Sequence, residues 1–330
     1  MKFLPSKQLY SNTENCLRYL RELTVDTEYT VPRKAERYHM YWYGIFSSKQ
    51  AFAIKSFLAT QDLESSELWL WLDIENGHTG HQDNPLLQPF MNHIQVNCFD
   101  PKTESLNTPL ENMSNLFTGV SPASRSDFSR HVILYNYGGV YVDMDTMFLR
   151  DMNSLLRNKL FDREFCYRWS AHQSYGNSAV LRIHQKSEVG FKLLVRCREV
   201  GSCHPRIVLR FEDNTDLDLT VLPCVFFDPL WPHHDHKDKY NSAPFNRFDD
   251  FFRKFDWNFT QNRNLRSYRD FFPGAFTYQW HNFWNAREYS ESYFGVFNRE
   301  LNNILHDKLG IDIPCPSDAD CTGTIPVGNQ

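Results

Sequence analysis

Continuous apolar runs alternate with a helical pattern near the start of the chain. Residues 38–43 (YHMYWY) and residues 68–72 (LWLWL) each predict a buried strand, and Gly44 ends the first one. Between them, the apolar positions of residues 52–58 recur at helical spacing. A strand, a helix and a strand within about 35 residues form a βαβ unit, which predicts a parallel sheet with helices on its faces.

The middle of the chain continues this α/β pattern. Residues 94–99 predict a third strand, and residues 127–137 predict a helix with Ser126 as its N-cap. Two glycines end that helix, and residues 140–144 predict the next strand. We find no internal repeat and no clean linker, so we expect one continuous α/β domain with an elaborated C-terminal half.

Weaker patterns predict three further elements. They are a short helix at residues 16–23, a helix at residues 191–200 and a strand at residues 217–225. The histidine-rich residues 233–236 (HHDH) are either a metal site or a solvated loop. We favour the loop, because consecutive residues rarely converge on one ion.

Composition and charge narrow the class of protein. Of the 330 residues, 41% are apolar and 23% are charged, which is a globular composition. The net charge of −5 disfavours nucleic acid as a partner, since a surface that neutralises phosphates should be basic. No apolar run reaches the ~20 residues that span a bilayer. We therefore expect no transmembrane segment, and we see no signal peptide in the sequence.

The cysteines do not predict a structural zinc site, because no two of the eight form a C-x-x-C pair. Cys315 and Cys321 flank a short tail and are candidates for a disulfide. N-glycosylation sequons begin at Asn112 and Asn258. These features favour a secretory lumen, whereas the missing signal segment argues against it.

Two carboxylates stand at the end of the strand predicted at residues 140–144. Tyr141, Asp143 and Asp145 alternate to one face, which places the two acids roughly 6–7 Å apart at the α-carbons. Two unpaired charges at the end of a buried strand would repel each other. A hard divalent cation removes that conflict, and oxygen ligands favour magnesium, calcium or manganese. Such an ion suits a reaction in which a diphosphate leaves.

The helix before this strand adds an acid and an arginine. Asp127 and Arg130 share one helix face, whereas Phe128, Val132 and Tyr135 form the opposite, apolar face. We expect the apolar face to pack on the sheet. For Asp127 and Arg130 the alternative to a functional role is an exposed salt bridge of little energetic value.

These residues carry a family resemblance. Residues 126–145, SDFSRHVILYNYGGVYVDMD, fit the pattern S-D-x-x-R-x-x-x-L-Y-x-x-G-G-x-Y-x-D-x-D at every defined position. The pattern resembles the signature of glycosyltransferases with a DXD sugar-binding region, a group that includes α-1,4-galactosyl-, α-1,4-N-acetylglucosaminyl- and initiating mannosyltransferases. The resemblance implies a GT-A-like fold, with a mostly parallel Rossmann-type sheet and helices on both faces.

Segments on both sides of the signature resemble the same family, so the resemblance covers residues 37–290. It implies one glycosyltransferase domain there, an N-terminal extension at residues 1–36, and a C-terminal helix with a cysteine-containing tail at residues 291–330. The supporting segments are residues 39–44, 68–73, 175–179, 222–231 and 280–284.

The resemblance implies roles for five residues at the metal and the donor sugar. Asp145 would ligate the metal directly, and Asp143 would contact it through water or bind the ribose and sugar hydroxyls. Asp127 and Arg130 would hold the donor sugar. His281 is a candidate for a further metal ligand, with a place in the core as the alternative.

Four more residues are implied around the nucleotide and the sugar. Trp42 would stack on the base, and Tyr141 would line the nucleotide pocket; for both, a place in the core is the alternative. Asn177 belongs to a segment that approaches the sugar. Trp284 belongs to the segment that closes over the diphosphate.

The activity implied by the resemblance is that of a retaining glycosyltransferase that uses Mn²⁺ or Mg²⁺. A nucleotide-sugar, with UDP favoured over GDP, would donate to a hydroxyl of a glycan, glycolipid or protein. No carboxylate is an obvious covalent nucleophile, so we favour a front-face route. Eukaryotic relatives are usually held in the Golgi lumen by an N-terminal anchor; without one, the chain would be cytoplasmic.

Two other functions stay open. A phosphatase of the haloacid dehalogenase type has Asp-x-Asp followed by x-Thr or x-Val, whereas this chain has Met147 there and places the motif far from the start. The other is a non-catalytic protein that binds glycans or nucleotides. The intact acids argue against it, because a degenerate site usually loses them.

Overall fold

The computed structural model describes residues 2–3, 13–26, 34–74, 84–170, 172, 174–212, 217–236, 243–255 and 267–313. Cys315, Cys321 and Asn258 lie outside these ranges, so the candidate disulfide and one sequon stay predictions. The other sequon residue, Asn112, is exposed in a loop.

Ten strands are present in the described ranges, eight of them in one central sheet. They are β1 (Lys2–Phe3), β2 (Glu36–Trp42), β3 (Ser66–Asp73), β4 (Gln95–Phe99), β5 (Gly139–Val142), β6 (Thr146–Phe148), β7 (Phe165–Arg168), β8 (Asn177–Ile183), β9 (Thr220–Pro223) and β10 (Thr277–Gln279).

The central sheet has the order β1-β9-β7-β8-β5-β2-β3-β4, and β6 pairs with β10 in a separate two-stranded sheet. Only β8 runs antiparallel to its neighbours in the central sheet. The predicted α/β class with a mostly parallel sheet is confirmed, and this topology is consistent with a GT-A-like fold.

Nine helices surround the sheet in the described ranges. They are α1 (Thr13–Arg21), α2 (Ser48–Thr60), α3 (Pro101–Glu104), α4 (Pro122–Tyr137), α5 (Asn153–Leu156), α6 (Glu188–Val200), α7 (Pro205–Val208), α8 (Trp231–His236) and α9 (Tyr293–Leu309). None of these helices combines the length and apolarity that a bilayer crossing requires.

Two apolar cores lie against the central sheet because its strands are buried on both faces. Val140 and Val142 of β5 belong to one core together with residues of α1, α2 and α9. Tyr141 belongs to the other core, with residues of α4 and α6. Alternate residues of one strand thus enter different cores. The predicted helices on both faces are therefore present.

Both ends of the described chain contribute to the first of these cores. Leu17 and Leu20 of α1 and Leu301 and Leu305 of α9 are fully buried there. The predicted boundaries at residues 36 and 290 therefore do not separate independent cores.

Two elements around the signature differ from their predicted bounds. The hydroxyl of Ser121 accepts a hydrogen bond from the Ser124 N–H, and Pro122 suits the first helical turn, so α4 begins one turn before the predicted N-cap Ser126. β5 ends at Val142, so both acids of the motif follow the strand instead of ending it.

Two predictions in the second half also need correction. Residues 233–236 lie in α8 and not in a loop, because the helix continues from Trp231. The strand predicted at residues 217–225 is shorter: β9 gives way to the 3-10 helix Cys224–Phe226.

Candidate functional site

A cavity of about 660 Å³ opens at one edge of the central sheet. The parallel strands β2, β5 and β7 end at this edge, and the antiparallel strand β8 begins there. Open α/β sheets bind ligands at the carboxyl ends of their strands. The lining includes Trp42, Asp143, Asp145, Trp169 and Asn177.

Arg130 holds two of the predicted site acids together. Its Nη2 lies 3.2 Å from Asp127 Oδ1 and 3.0 Å from Asp143 Oδ1. Nη1 donates to Ser178 Oγ at 3.0 Å, and Nη2 donates to Ser126 Oγ at 3.1 Å. The Arg130 side chain is only 6% exposed, so the alternative of a solvated surface salt bridge is excluded.

α4 places this ion pair, and it does so while both of its faces are buried. Phe128, Val132 and Ile133 pack in the second core, yet Asp127 and Arg130 are also buried, at 7% and 5% exposure. The predicted packing of the apolar face is confirmed, and the opposite face with Asp127 and Arg130 is buried as well. The polar residues point into the cavity at the sheet edge instead of toward bulk water.

Tyr141 supports Arg130 from behind the cavity. Its ring is fully buried, the Arg130 guanidinium lies 4.7 Å from the ring centroid, and its hydroxyl is 3.0 Å from Ser126 Oγ. Tyr141 is not among the residues that line the cavity. The prediction that it lines the nucleotide pocket is therefore corrected: the side chain faces the second core beneath Arg130.

The acids of this cluster hold protons more tightly than free carboxylates. Burial raises the pKa of Asp143 to about 7; Arg130 opposes the rise, and Asp145 and Asp127 add to it. Burial also raises the pKa of Asp127, against the effect of Arg130. Burial lowers the pKa of Arg130, but Asp143 and the other acids raise it by more. The cluster therefore has more acid than one arginine neutralises.

Asp145 is tied to the C-terminal segment of the domain. Its Oδ1 accepts from Gln279 Nε2 at 3.0 Å, and its Oδ2 accepts from the Asn282 N–H at 2.8 Å. The N–H of Trp280 donates to the Asp145 carbonyl at 3.0 Å. His281 and Asn282 adopt φ values of 53° and 59°, a region that non-glycine residues rarely occupy. Such strain is typical of functional sites.

His281 lines the cavity but contacts a different acid. Its Nε2 lies 2.9 Å from Asp228 Oδ2, and the same oxygen accepts from Trp169 Nε1 at 2.9 Å. Burial lowers the pKa of His281, but Asp228, and after it Asp145 and Asp143, raise it by more, so the net shift is upward. His281 is thereby favoured as a cation.

The carboxylates fit a hard divalent cation better than His281 does. Asp143 and Asp145 present oxygen ligands to an open cavity, and their acid excess calls for positive charge. His281 would have to leave Asp228 first. Within the described ranges, one group of three ligand atoms lies within 4.8 Å of one another: His131, Cys197 and Cys203. The two sulfurs of that group form a disulfide and are not free to bind a metal. Asp143, Asp145 and His281 do not form such a group.

Two tryptophans form one wall of the cavity. The rings of Trp42 and Trp284 lie 4.7 Å apart at an angle of 60°, and both are half-buried. Trp42 Nε1 donates to the Ile45 carbonyl at 3.1 Å, and Trp284 Nε1 donates to Asn282 Oδ1 at 3.0 Å. The wall is thus fixed to the same C-terminal loop that holds Asp145.

Lys49, which sequence analysis missed, anchors that loop. Its Nζ donates to the carbonyls of Phe283, Trp284 and Ala286 at 2.7, 2.6 and 2.6 Å. The ammonium also lies 4.5 Å from the centroid of the Phe252 ring. No local signal could have found it, because a lysine in the first turn of an amphipathic helix is ordinarily solvated.

Asn177 lies at the start of β8 beside the acids. Its Oδ1 accepts from the Ala179 N–H at 2.6 Å, while the Ala179 carbonyl accepts from the Asp143 N–H at 2.8 Å. Asn177 is therefore positioned against the turn that contains the motif.

Other lining residues were also missed, among them His204 and Pro205. A disulfide joins Cys197, near the end of α6, to Cys203, which directly precedes His204. The spacing of these cysteines matches no common motif, so the sequence did not predict their pairing.

The family of this region follows from a sequence comparison. Residues 91–162 match the family model described as glycosyltransferase sugar-binding region containing DXD motif. Asp143-Met144-Asp145 and the Asp127–Arg130 pair both lie inside that match. This segment of the chain is therefore similar to the DXD sugar-binding region of glycosyltransferases.

Solved glycosyltransferase structures are distantly similar to parts of this chain. The PaToxG glycosyltransferase is 15% identical, with a TM-score of 0.43 over 64% of this chain and 79% of its own. The bifunctional glycosyltransferase WbbM is 13% identical, with a TM-score of 0.45 over 82% of this chain and 50% of its own. The glycosyltransferase GlyE of Streptococcus pneumoniae TIGR4 is 12% identical, with a TM-score of 0.44 over 86% of this chain and 66% of its own. A search of curated proteins gave no match.

Proposed function

We propose that this chain is a metal-dependent, retaining glycosyltransferase that uses a nucleotide-sugar donor. The observation that supports this most directly is the buried Asp127–Arg130–Asp143 cluster beside Asp145, inside a DXD region and open to a cavity at the carboxyl edge of the sheet. Its excess of acid suits a divalent cation and the diphosphate that the cation would bind.

The donor would lie along the sheet edge with its base against Trp42 and Trp284. Asp145 and Asp143 would hold Mn²⁺ or Mg²⁺, and the bound ion would neutralise charge on the leaving diphosphate. Arg130 fixes Asp143 and Asp127 in place, and Asp127 and Asn177 would bind hydroxyls of the donor sugar. His281, favoured as a cation, would contact the diphosphate, or would become a metal ligand by leaving Asp228.

The contacts and proposed roles of the carboxylates in the cavity fit a front-face reaction with retention. Within the described part of the cavity lining, the carboxylates are Asp127, Asp143 and Asp145. The first two are ion-paired with Arg130, and the third accepts two hydrogen bonds. In this proposal Asp143 and Asp145 bind the ion and Asp127 is paired with Arg130, so no carboxylate is assigned as a covalent nucleophile and the leaving diphosphate would take the acceptor proton.

The donor is a UDP-sugar in this proposal, and the acceptor is a hydroxyl of a glycan, glycolipid or protein. A phosphatase reaction is less well supported, because Met147 is fully buried in β6 where that enzyme class needs Thr or Val near the site.

A thermal-shift panel tests donor binding. UDP, GDP and their sugars would be added with and without Mn²⁺ to the wild type, Asp145→Asn and the control Asp307→Asn, whose carboxylate is exposed on α9. A ligand at 100 times its Kd should stabilise the fold by ~2.7 kcal/mol. We expect one nucleotide class to do so with Mn²⁺ in the wild type and the control. No response with any nucleotide would refute the donor-site assignment.

A further inference from the structure

The residues at the cavity edge have a fixed order that follows from the sheet. Neighbouring strands run β2, β5, β8, β7 across this edge. Trp42 ends β2, the acids follow β5, Asn177 begins β8 and Trp169 follows β7. Trp42 and Trp169 therefore lie on opposite sides of the acids. If the donor spans from Trp42 to Asn177, as in the proposed function on which this inference rests, the Trp169 side is left for the second substrate.

Trp169 presents a rigid aromatic surface on that side. Its ring stacks on Trp231 at a centroid distance of 4.2 Å and an angle of 15°. Its Nε1 donates to the fully buried Asp228 at 2.9 Å, which fixes the ring in its plane. Trp169 is half-buried and lines the cavity, so one face is held by Trp231 while part of the ring stays accessible.

The groups around Trp169 are polar and carry little net charge. Tyr175, Asn177, His204 and Pro205 line the same cavity, and the ring of His172 connects Tyr175 to Trp169. Within the described lining, the charged groups are the Asp127–Arg130–Asp143 cluster, Asp145 and His281, and Asp228 balances His281 through their 2.9 Å contact. A flat ring beside hydrogen-bonding groups and a balanced ion pair suits a neutral, amphipathic ligand with one apolar face.

We propose that Trp169 is the acceptor platform and that the acceptor presents a neutral sugar ring whose C–H face packs on the indole. The hydroxyl that reacts would point toward the donor sugar near Asn177. In the transfer, its oxygen bonds to the anomeric carbon, the bond from that carbon to the diphosphate breaks, and the hydroxyl proton passes to the departing diphosphate.

Saturation-transfer NMR with methyl glycosides of galactose, glucose, mannose and N-acetylglucosamine tests the platform directly. Each would be added to the wild type and variants in the presence of UDP and Mn²⁺. Trp169→Ala removes the surface, whereas Trp169→Phe keeps an aromatic ring but loses the N–H bond to Asp228. Trp69→Phe is the matched control, because Trp69 is a half-buried tryptophan of β3 outside the cavity lining.

We expect at least one glycoside to receive saturation at the protons of one ring face in the wild type. Its affinity should fall about tenfold in Trp169→Ala, less in Trp169→Phe and not at all in Trp69→Phe. Equal loss in both Trp169 variants would overturn the platform, since the effect would then arise through Asp228 and His281. An absence of binding to every glycoside, or unchanged binding in Trp169→Ala, would also overturn it.

The outcome is separable from that of the proposed function. Glycoside binding at Trp169 without manganese-dependent nucleotide binding would retain the platform and reject the transferase. Nucleotide binding with no contribution from Trp169 would retain the transferase and reject the platform.

Discussion

Arg130 is the residue on which the charge balance of the site depends. It is buried and contacts both Asp127 and Asp143 at hydrogen-bond distance. Removing one partner of a buried ion pair lowers the stability of the fold much more than breaking an exposed pair does. The charge that remains is then buried without compensation.

We expect Arg130→Gln to lower the free energy of unfolding by about 3 kcal/mol in metal-free protein near pH 8. Urea denaturation of the two proteins measures this difference. The control is Lys192→Gln, which breaks the exposed pair with Glu188 and should cost less than about 0.5 kcal/mol. Similar losses in both variants would show that the Arg130 cluster is not a buried charge network.

The raised pKa of Asp143 gives the site a pH dependence. Its folded value of about 7 exceeds the ordinary 3.8, so the folded protein holds a proton that the unfolded chain has already lost. The corresponding stability is present below about pH 4 and is lost as the pH rises to about 7. A metal ion must displace this proton, so metal binding should strengthen over the same interval.

We therefore expect Mn²⁺ to raise the Tm more at about pH 7.5 than at about pH 5.5. Thermal unfolding with and without the ion at several pH values measures this. In Asp143→Asn the pH dependence of the metal effect should shrink. A metal effect that is constant over the interval would contradict the assignment of Asp143 to the ion.

The sequence predicted the site acids but not all of their surroundings. Asp127, Arg130, Asp143 and Asp145 are close in sequence, and one helix and one strand end bring them together. Gln279 and the Asn282 N–H, which bind Asp145, come more than a hundred residues later, and no local pattern links such distant positions.

At the scale of elements, helix α2 positions the C-terminal loop through one side chain. Lys49 donates to three carbonyls of the loop that contains Trp284. Because Asn282 of the same segment binds both Asp145 and Trp284, the loop connects the aromatic wall to the motif.

We expect Lys49→Met to weaken metal-dependent nucleotide binding by about tenfold, since a loop that must be ordered on binding lowers affinity. Isothermal titration calorimetry with UDP and Mn²⁺ would measure the change. Lys55→Met is the matched control, because Lys55 is a buried lysine of α2 that binds Asn298 of α9 and not the loop. Equal weakening in both variants would point to a general effect of damaging α2.

Element types were more predictable than element ends. The apolar runs identified β2, β3 and β4 and the helix α2 between the first two. The start of α4 was missed because Ser121 and Ser126 are both good caps, and only packing selects between them. The end of β5 was missed because the turn is fixed by contacts of Asp145 with the distant C-terminal segment.

At the scale of the whole molecule, the N- and C-terminal helices complete the central core. Leu17 of α1 and Leu301 of α9 have no exposed surface and belong to the same apolar cluster. The helices outside the predicted bounds at residues 36 and 290 therefore share a core with the segment between them.

We expect Leu17→Ala and Leu301→Ala each to lower stability by about 2–5 kcal/mol. Because both helices share one core, the protein should keep a single unfolding transition. Scanning calorimetry distinguishes this from a second transition, which would mean that a flanking helix unfolds on its own.

The order of strands in the second half was beyond the reach of sequence patterns. β7 and β9 have only four residues each, and β8 inserts antiparallel between β5 and β7 through contacts between residues far apart in sequence. That insertion brings Asn177, which the sequence predicted, and Trp169, which it did not, to the same edge of the sheet as the acids.

The most direct test of the central claim is release of the nucleoside diphosphate from UDP- and GDP-sugars, followed by ³¹P NMR with and without Mn²⁺. Wild type and the exposed control Asp307→Asn should release UDP from at least one sugar in a manganese-dependent reaction. Asp145→Asn should lose about 99% of that rate, a change in the range of electrostatic catalytic groups. Equal turnover in Asp145→Asn and wild type, or turnover that does not depend on Mn²⁺, would contradict the account.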